Sequence, residues 1–259
     1  MKKLVFTLAT CCIMCACEQK TETNPFFTEF QTEYGAPDFD KIKIEHYEPA
    51  FLKGIEEQNA EIKAIVENQE APDFENTIVA LDNSGKTLAR VRGVFFALTE
   101  ADTNDAMSAL SEKIAPVLSG HNDNIYLNQD LYKRVAAVQQ QEQEGKITLT
   151  TEQHRLLDKY YKAFVRAGAG LDAGKQDRLR EINKELSTLA ITFSNHGLNE
   201  NNAYQLVIED EAELAGLPEW VKAGAAEEAK AAGKEGKWLF TLQNSSRLPL
   251  LQYADNRGL

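Results

Sequence analysis

Cysteine is almost absent from this chain of 259 residues. Its four cysteines all lie within the first 17 positions, at Cys11, Cys12, Cys15 and Cys17. The rest of the chain therefore has no thiol pair for an internal disulfide and no thiol for catalysis or metal binding. Burial of apolar side chains must hold its fold together instead.

Positive charge is also scarce. The chain has 28 lysines and arginines against 40 aspartates and glutamates, which gives a formal net charge of -12. No cluster of basic residues with interleaved aromatic residues occurs in the sequence. Because an acidic surface repels phosphate backbones, nucleic acid is not expected as a partner.

Long apolar runs are missing after the first one. Lys2 and Lys3 precede an apolar run from Leu4 to Met14, which is followed by small residues. This order predicts a signal peptide over residues 1–16. The run is shorter than the roughly 20 residues of a membrane-spanning helix, and no later window replaces it, so the remainder is expected to be soluble.

The end of the signal peptide resembles a bacterial lipobox. Cys17 closes the run Met14-Cys15-Ala16-Cys17, where the apolar region ends and a polar tether over 18–24 begins. Acylation of Cys17 would make the protein an exported lipoprotein, anchored to a membrane in the periplasm or cell envelope. Ordinary cleavage that leaves a free thiol, or an unmodified cysteine cluster, are the alternatives. Residues 17–43 are interpreted as this tether and an extended strap.

Recognisable catalytic motifs are missing as well. The sequence has no G-x-S-x-G elbow, no Walker loop and no G-x-G-x-x-G. No two of its histidines are four positions apart, so the H-E-x-x-H helix of zinc peptidases is absent. The sequence therefore predicts no catalytic, cofactor-binding or metal-binding residue in this chain.

Each of the four histidines has a structural interpretation. His46 lies at a helix start beside Glu45 and Glu48. These two glutamates are three positions apart and share one face of the helix, whereas His46 points in another direction, so a cation site is not expected there. His121 continues an apolar stripe and is expected in or near the core. His154 lies in the first turn of a helix, and His196 is expected to cap a helix end.

Helical periodicity dominates residues 44–200 and predicts a domain of long helices. Asp73 or Asn76 is expected to cap the second helix, and Pro116 to kink the third. The predicted helices cover about 46–68 and 75–98, a segment from Met107 past Ile125, and one marked by Leu131, Val135 and Val138, before a polar connection over Gln139 to Gly145.

Two further helices follow. Thr150 and Gln153 resemble a capping box for a helix that ends near Gly168. The next helix has five apolar residues in three-four alternation, which predicts a long helix packed lengthwise against others. These residues are Leu179, Ile182, Leu186, Leu189 and Phe193.

The composition changes after residue 200. Two short segments over 204–208 and 238–242 are rich in β-formers and bracket an alanine-rich helix from about Pro218 to Ala232. Residues 201–259 are therefore interpreted as a strand-helix-strand element and the start of a further, truncated helix. The predicted fold class is mostly α, with a small two-stranded β element near the carboxyl terminus.

Short sequence motifs along the chain resemble the amino-terminal region of bacterial peptidyl-dipeptidases. These enzymes belong with thimet oligopeptidase and neurolysin in one family of zinc peptidases. The motifs span residues 24 to 257 in order. Among them are Asn24-Pro25-Phe26-Phe27, Glu45-His46-Tyr47-Glu48-Pro49, Ala71-Pro72-Asp73-Phe74-Glu75-Asn76, Val94-Phe95-Phe96-Ala97, Phe164-Val165-Arg166-Ala167-Gly168 and Lys237-Trp238-Leu239.

The resemblance implies a zinc metallopeptidase that releases dipeptides from the carboxyl end of short peptides in a deep channel. The zinc helix of the family lies beyond position 259, so this chain corresponds to the amino-terminal helical region, the channel wall and lid. We expect it to bind no zinc, to be inactive alone and to be a monomer, as a fragment or truncated gene product. The alternative is a non-catalytic helical lipoprotein that binds peptides or a partner protein.

Overall fold

The computed structural model describes residues 23–259. The predicted signal peptide, Cys17 and most of the polar tether lie outside the described residues. Within the described range, none of the helices combines the length and the hydropathy that crossing a membrane would require.

Helices make up most of the described chain, which confirms the predicted fold class. The helices and strands are α1 (Ile44–Val66), α2 (Ala80–Asp82), α3 (Lys86–Ala101), α4 (Asp105–Tyr126), α5 (Gln129–Gln143), α6 (Thr151–Ala167), α7 (Ala173–Ala203), β1 (Leu206–Ile208), α8 (Glu219–Ala231), β2 (Trp238–Phe240) and α9 (Asn244–Tyr253).

The segment before α1 is irregular, with three short 3-10 turns at Pro25–Phe27, Glu33–Gly35 and Phe39–Lys41. Phe26 is completely buried and lies 5.2 Å from the Tyr47 ring, centroid to centroid. Arg90 Nη1 donates to the Phe26 carbonyl at 2.7 Å, and Asn24 Nδ2 donates to the His46 carbonyl at 2.7 Å. These contacts fix the start of the described chain to α1 and α3.

Helices α1 and α3 pack closely at Gly54. A Cβ atom at this glycine would lie 2.7 Å from the Leu88 backbone nitrogen, so a larger residue would push the helices apart. Beside this crossing, Phe51 and Phe95 meet edge to face at 5.3 Å. The first hydrophobic core, which joins the segment around Phe26 to α1, α3 and α4, is built on these contacts.

The predicted continuous helix over 75–98 is wrong. A π-helical turn over Phe74–Val79 leads into the short α2, and the chain then breaks before α3. Gly85 adopts a left-handed φ of 73°, and its N–H donates to Glu61 Oε2 at 2.7 Å. The glycine and this carboxylate favour the break over a continued helix. Asp73 caps the turn as predicted.

Helices α4 and α5 lie close to their predicted positions, with two differences. In α4 the buried residue after Ile114 is Leu118, whereas Val117 is 41% exposed. The polar connection predicted from Gln139 is wrong, because α5 continues to Gln143 and Gln139 itself is buried. Gln141 holds this end of α5 in place by donating to the Pro72 carbonyl at 2.9 Å.

Helix α6 confirms its predicted ends. Thr150 and Gln153 form the capping box, and Gly168 closes the helix with a left-handed φ of 92°. Leu157 and Phe164 are completely buried in a second core that α6 shares with α5, the end of α1 and the π-helical turn.

A small third core lies in the last part of the chain. β1 pairs antiparallel with β2, with Leu206 opposite Phe240 and Ile208 opposite Trp238. Helix α8 and the α9 residue Leu250 cover this two-stranded sheet. The predicted two-stranded element near the carboxyl terminus is thereby confirmed.

Candidate functional surfaces

The four histidines lie on four different helices, α1, α4, α6 and α7, and are not brought together. His46 Nδ1 accepts a hydrogen bond from the Lys43 N–H at 3.1 Å, which helps to start α1. His154 lies in the first turn of α6, as predicted, and its Nδ1 is 2.6 Å from Glu142 Oε1. Within residues 23–259, no three side chains of His, Cys, Asp or Glu are arranged to hold a metal ion.

The predicted role of His196 is wrong. Helix α7 continues beyond it to Ala203, and Tyr204 is the residue that closes the helix. His196 is exposed, while its neighbour Asn195 donates to Glu112 Oε1 on α4 at 2.9 Å. Polar side chains in mid-helix therefore contact a neighbouring helix here, where the sequence suggested a helix end.

His121 is buried, as predicted, beside the break between α2 and α3. Its Nε2 lies 2.8 Å from Gln58 Oε1, and Gln58 Nε2 donates to Ser84 Oγ at 3.1 Å. Ser84 Oγ in turn donates to the Leu81 carbonyl at 2.8 Å. Burial, with a smaller contribution from Arg92, lowers the pKa of His121, so the ring is neutral and donates through Nε2.

This arrangement leaves a polar atom without a partner. Nδ1 of His121 is buried and has no hydrogen-bond partner among the described residues. His121 lines a cavity of about 170 Å³ with Gln58, Ser84 and Tyr160. A protonated ring would bring a second N–H donor and a positive charge into this buried place. No sequence motif predicts this network, because its members are distant along the chain.

An apolar groove lies between α1 and α4. It has a volume of about 640 Å³, with Pro49 and Leu52 on one wall and Ala109 and Leu110 on the other. An ion pair between Lys113 and Glu48 crosses its rim at 2.6 Å. The groove offers apolar surface without a group that could polarise or cleave a bond.

Helix α7 packs along α4 through polar contacts. Asn183 Nδ2 donates to Asp123 Oδ1 at 2.8 Å, and Arg180 Nη1 donates to Asn124 Oδ1 at 3.1 Å. Of the residues of α7, only Gln176 is buried. The helix is long, as predicted, and the face that contacts α4 carries polar side chains beside the half-buried Ile191.

Helix α7 packs lengthwise on α4 as predicted, but most of the apolar series does not make this contact, because its carboxyl part is exposed. Leu186 is 56%, Leu189 54% and Phe193 81% exposed. We call these three residues the α7 stripe. At about 100° per residue, Leu189 is rotated about 120° from both Asn183 and Asn195, which face α4. The apolar spacing predicted the helix correctly and its packing face incorrectly.

Comparison with known proteins gives the relationships of the chain. No protein-family model matches it. It is 42% identical over 238 residues to the dipeptidyl carboxypeptidase of Escherichia coli K12, a match that covers 92% of this chain. The chain is a homologue of peptidases of the thimet oligopeptidase family, over their amino-terminal part. The resemblance stated from the sequence is thereby confirmed.

Other members of the thimet oligopeptidase family match over the same region. The oligopeptidase A of Salmonella typhimurium LT2 is 31% identical over 237 residues, or 92% of this chain. The organellar oligopeptidase A of Arabidopsis thaliana is 25% identical over 248 residues, or 93% of this chain. The chain spans about a third of the length of these curated relatives, 35% of the E. coli protein and 34% of the Salmonella protein.

The sequence motifs behind the family resemblance contain residues that cap helices or pack in the cores. Asp73 caps the π-helical turn, Phe95 lies in the first core, and Gly168 closes α6. They specify helix ends and packing, and no reacting group. This explains why the sequence revealed the family without revealing a site.

Proposed function

We propose that this chain is the amino-terminal helical region of an exported zinc metallopeptidase that releases dipeptides from the carboxyl end of short peptides. The observation that carries the proposal is the 42% identity to a dipeptidyl carboxypeptidase over 92% of the chain. The long helices and the small two-stranded unit would form channel wall and lid around peptide substrates, in a monomeric enzyme.

The described residues do not fit a zinc ion. His46, His121 and His154 lie on α1, α4 and α6, and one ring nitrogen of each is within hydrogen-bond distance of a group on this chain. A zinc peptidase site needs three protein ligands around one open position. We therefore place the zinc ligands and the general base in the polypeptide that follows this region in the relatives, and we expect the chain to be inactive alone.

Dipeptide release provides the test of this assignment. Purified chain 1–259 should release no dipeptide from a short peptide with a free carboxyl end and should retain no stoichiometric zinc. A longer product of the same locus, with H-E-x-x-H encoded downstream, should release dipeptides and should retain stoichiometric zinc. Dipeptide release by the chain alone would contradict the proposal. A downstream sequence unrelated to peptidases would favour the non-catalytic lipoprotein.

Export and membrane anchoring are a separate part of the proposal, supported by the lipobox-like sequence that ends at Cys17. The variant Cys17→Ser removes the thioether-forming sulfur, so we expect the protein to move from the membrane fraction to the soluble fraction of the cell envelope. Fractionation with immunodetection measures this, with Thr21→Ser as the control in the same tether. Unchanged membrane association of Cys17→Ser would rule out acylation at this residue.

A further inference from the structure

We propose that the α7 stripe is a docking face for an apolar helix of the polypeptide that follows the matched region in the relatives. The inference rests on the proposed function, because it assigns that polypeptide as the occupant. It adds a named contact surface, which neither the sequence nor the comparisons specify.

The shape of the stripe fits a helix. Ala190 and Gly197 lie beside the three stripe residues on the same side of α7, and both are exposed. A Cβ atom at Gly197 would meet no atom within 4 Å, so the surface is open there. Large residues that alternate with small ones allow a second helix to approach closely, with its ridges in the grooves of the first.

The apolar face of α7 is partly covered near the amino end of the helix and exposed farther along. A Cβ atom at Gly168 would lie 2.8 Å from the Leu171 side chain and 3.0 Å from that of Leu179, so the α6–α7 turn packs over the first residue of the apolar series. Leu179 and Ile182 are half-buried, whereas exposure rises to 81% at Phe193. The uncovered part is thus continuous with a face that this chain already covers.

A second apolar surface, the α1–α4 groove, borders the turn of α4 that contacts α7. Glu112 on α4 accepts from Asn195 on α7, and the next residue, Lys113, lies on the rim of the α1–α4 groove. The same turn of α4 therefore borders the carboxyl half of α7 and the apolar groove.

The choice of occupant follows from size and charge. The relatives are almost three times as long as the part that they share with this chain, which covers 35% of the E. coli protein. A second copy is a poor occupant, because two chains of net charge -12 repel each other. Three side chains also fall short of the about 800 Å² per partner of a stable dimer. A segment joined in one polypeptide needs less area, since the linkage raises its effective concentration.

The test uses matched pairs of exposed residues. Leu189→Ser/Phe193→Ser removes an exposed aliphatic and an exposed aromatic side chain from the stripe. The control Val165→Ser/Tyr34→Ser does the same at residues that are 49% and 95% exposed outside it. Each chain is mixed with the downstream polypeptide of the same locus, expressed separately, and the Kd is measured by calorimetry.

We expect the stripe variant to bind at least about tenfold more weakly than the wild type, and the control variant to bind equally well. Urea unfolding of the isolated chains should be unchanged in both variants, because the substituted side chains are exposed. Equal binding by all three chains would overturn the docking face and leave the proposed function intact. A locus with no downstream peptidase sequence would overturn both. Concentration-dependent dimerisation abolished by the stripe variant would assign the stripe to a second copy instead.

Discussion

His121 shows how a residue that looked ordinary in the sequence acquires an unusual environment. Its place in an apolar stripe predicted burial, and burial is observed. Its hydrogen bond to Gln58 joins α4 to α1, and Gln58 continues to the Ser84 hydroxyl at the break before α3. These partners could not be predicted, because the break itself depends on contacts between Gly85 and Glu61 that are distant in sequence.

The lowered pKa of His121 gives a dependence of stability on pH. The unfolded chain binds a proton at His121 near pH 6.5, the unperturbed value, whereas the folded chain binds it only at lower pH. The unfolded state therefore carries more protons in this window, and this contribution to the free energy of unfolding falls as the pH drops below about 6.5. Asp82, Arg92 and Tyr160 line the same cavity. The charge of Arg92 adds to the lowering of the His121 pKa, whereas Tyr160 is neutral, because burial and its hydrogen bond to Asp82 raise its pKa.

Urea unfolding between pH 7.5 and pH 5 measures this contribution. We expect wild-type stability to fall over that range by more than that of His121→Gln, which has no titrating ring at this position. The difference between the two curves isolates His121 from the carboxylates, which titrate in both proteins. Parallel curves would show that the buried ring does not account for the pH dependence.

At the scale of helices, the sequence predicted where most helices begin and end. It did not predict the features that packing between helices determines. Local signals such as Asp73, the Thr150 capping box and Gly168 were sufficient for helix ends. Apolar spacing did not show which face of α7 meets α4, because polar hydrogen bonds make much of that contact. Periodicity reports the amphipathic character of a helix and not the identity of its neighbour.

The contact between α1 and α3 gives a prediction at this scale. Gly54→Ala improves helix propensity by up to about 1 kcal/mol, but the new methyl group would collide with the Leu88 backbone. We expect a net destabilisation of about 1–3 kcal/mol in urea unfolding, because backbone cannot move as a side chain can.

Gly93→Ala is the matched control for Gly54→Ala. Gly93 lies within α3, and a Cβ atom there would meet nothing within 4 Å. This variant should gain up to about 1 kcal/mol of stability from propensity alone. Equal effects of the two substitutions would show that α1 and α3 do not pack closely at Gly54.

At the scale of the whole molecule, residues 23–259 form three hydrophobic cores, and the third shares no residue with the other two. It consists of side chains after α7, among them the completely buried Leu214. The composition change after residue 200 predicted a separate element, and the pairing of β1 with β2 confirms it. The sequence could not show that the element has a core of its own, because that depends on α8 and α9 folding over the strands.

Separate cores predict separate local unfolding. Leu214→Ala leaves a cavity in the third core, so amide hydrogen exchange should become faster over 206–250 and stay unchanged in α1 to α6. Leu157→Ala, in the second core, should show the reverse pattern. Hydrogen exchange followed by mass spectrometry reads both. Faster exchange along the whole chain in either variant would mean that the cores unfold as one unit.

The buried Phe26 has a further consequence for the position of the protein in the cell. Asn24, the residue bound to α1, lies seven positions after Cys17. At up to ~3.6 Å per position, a fully extended tether would reach about 25 Å. With Cys17 acylated as proposed, the first turn of α1 would lie within about this distance of the lipid headgroups. Any ligand of the proposed peptidase would then have to diffuse close to the bilayer.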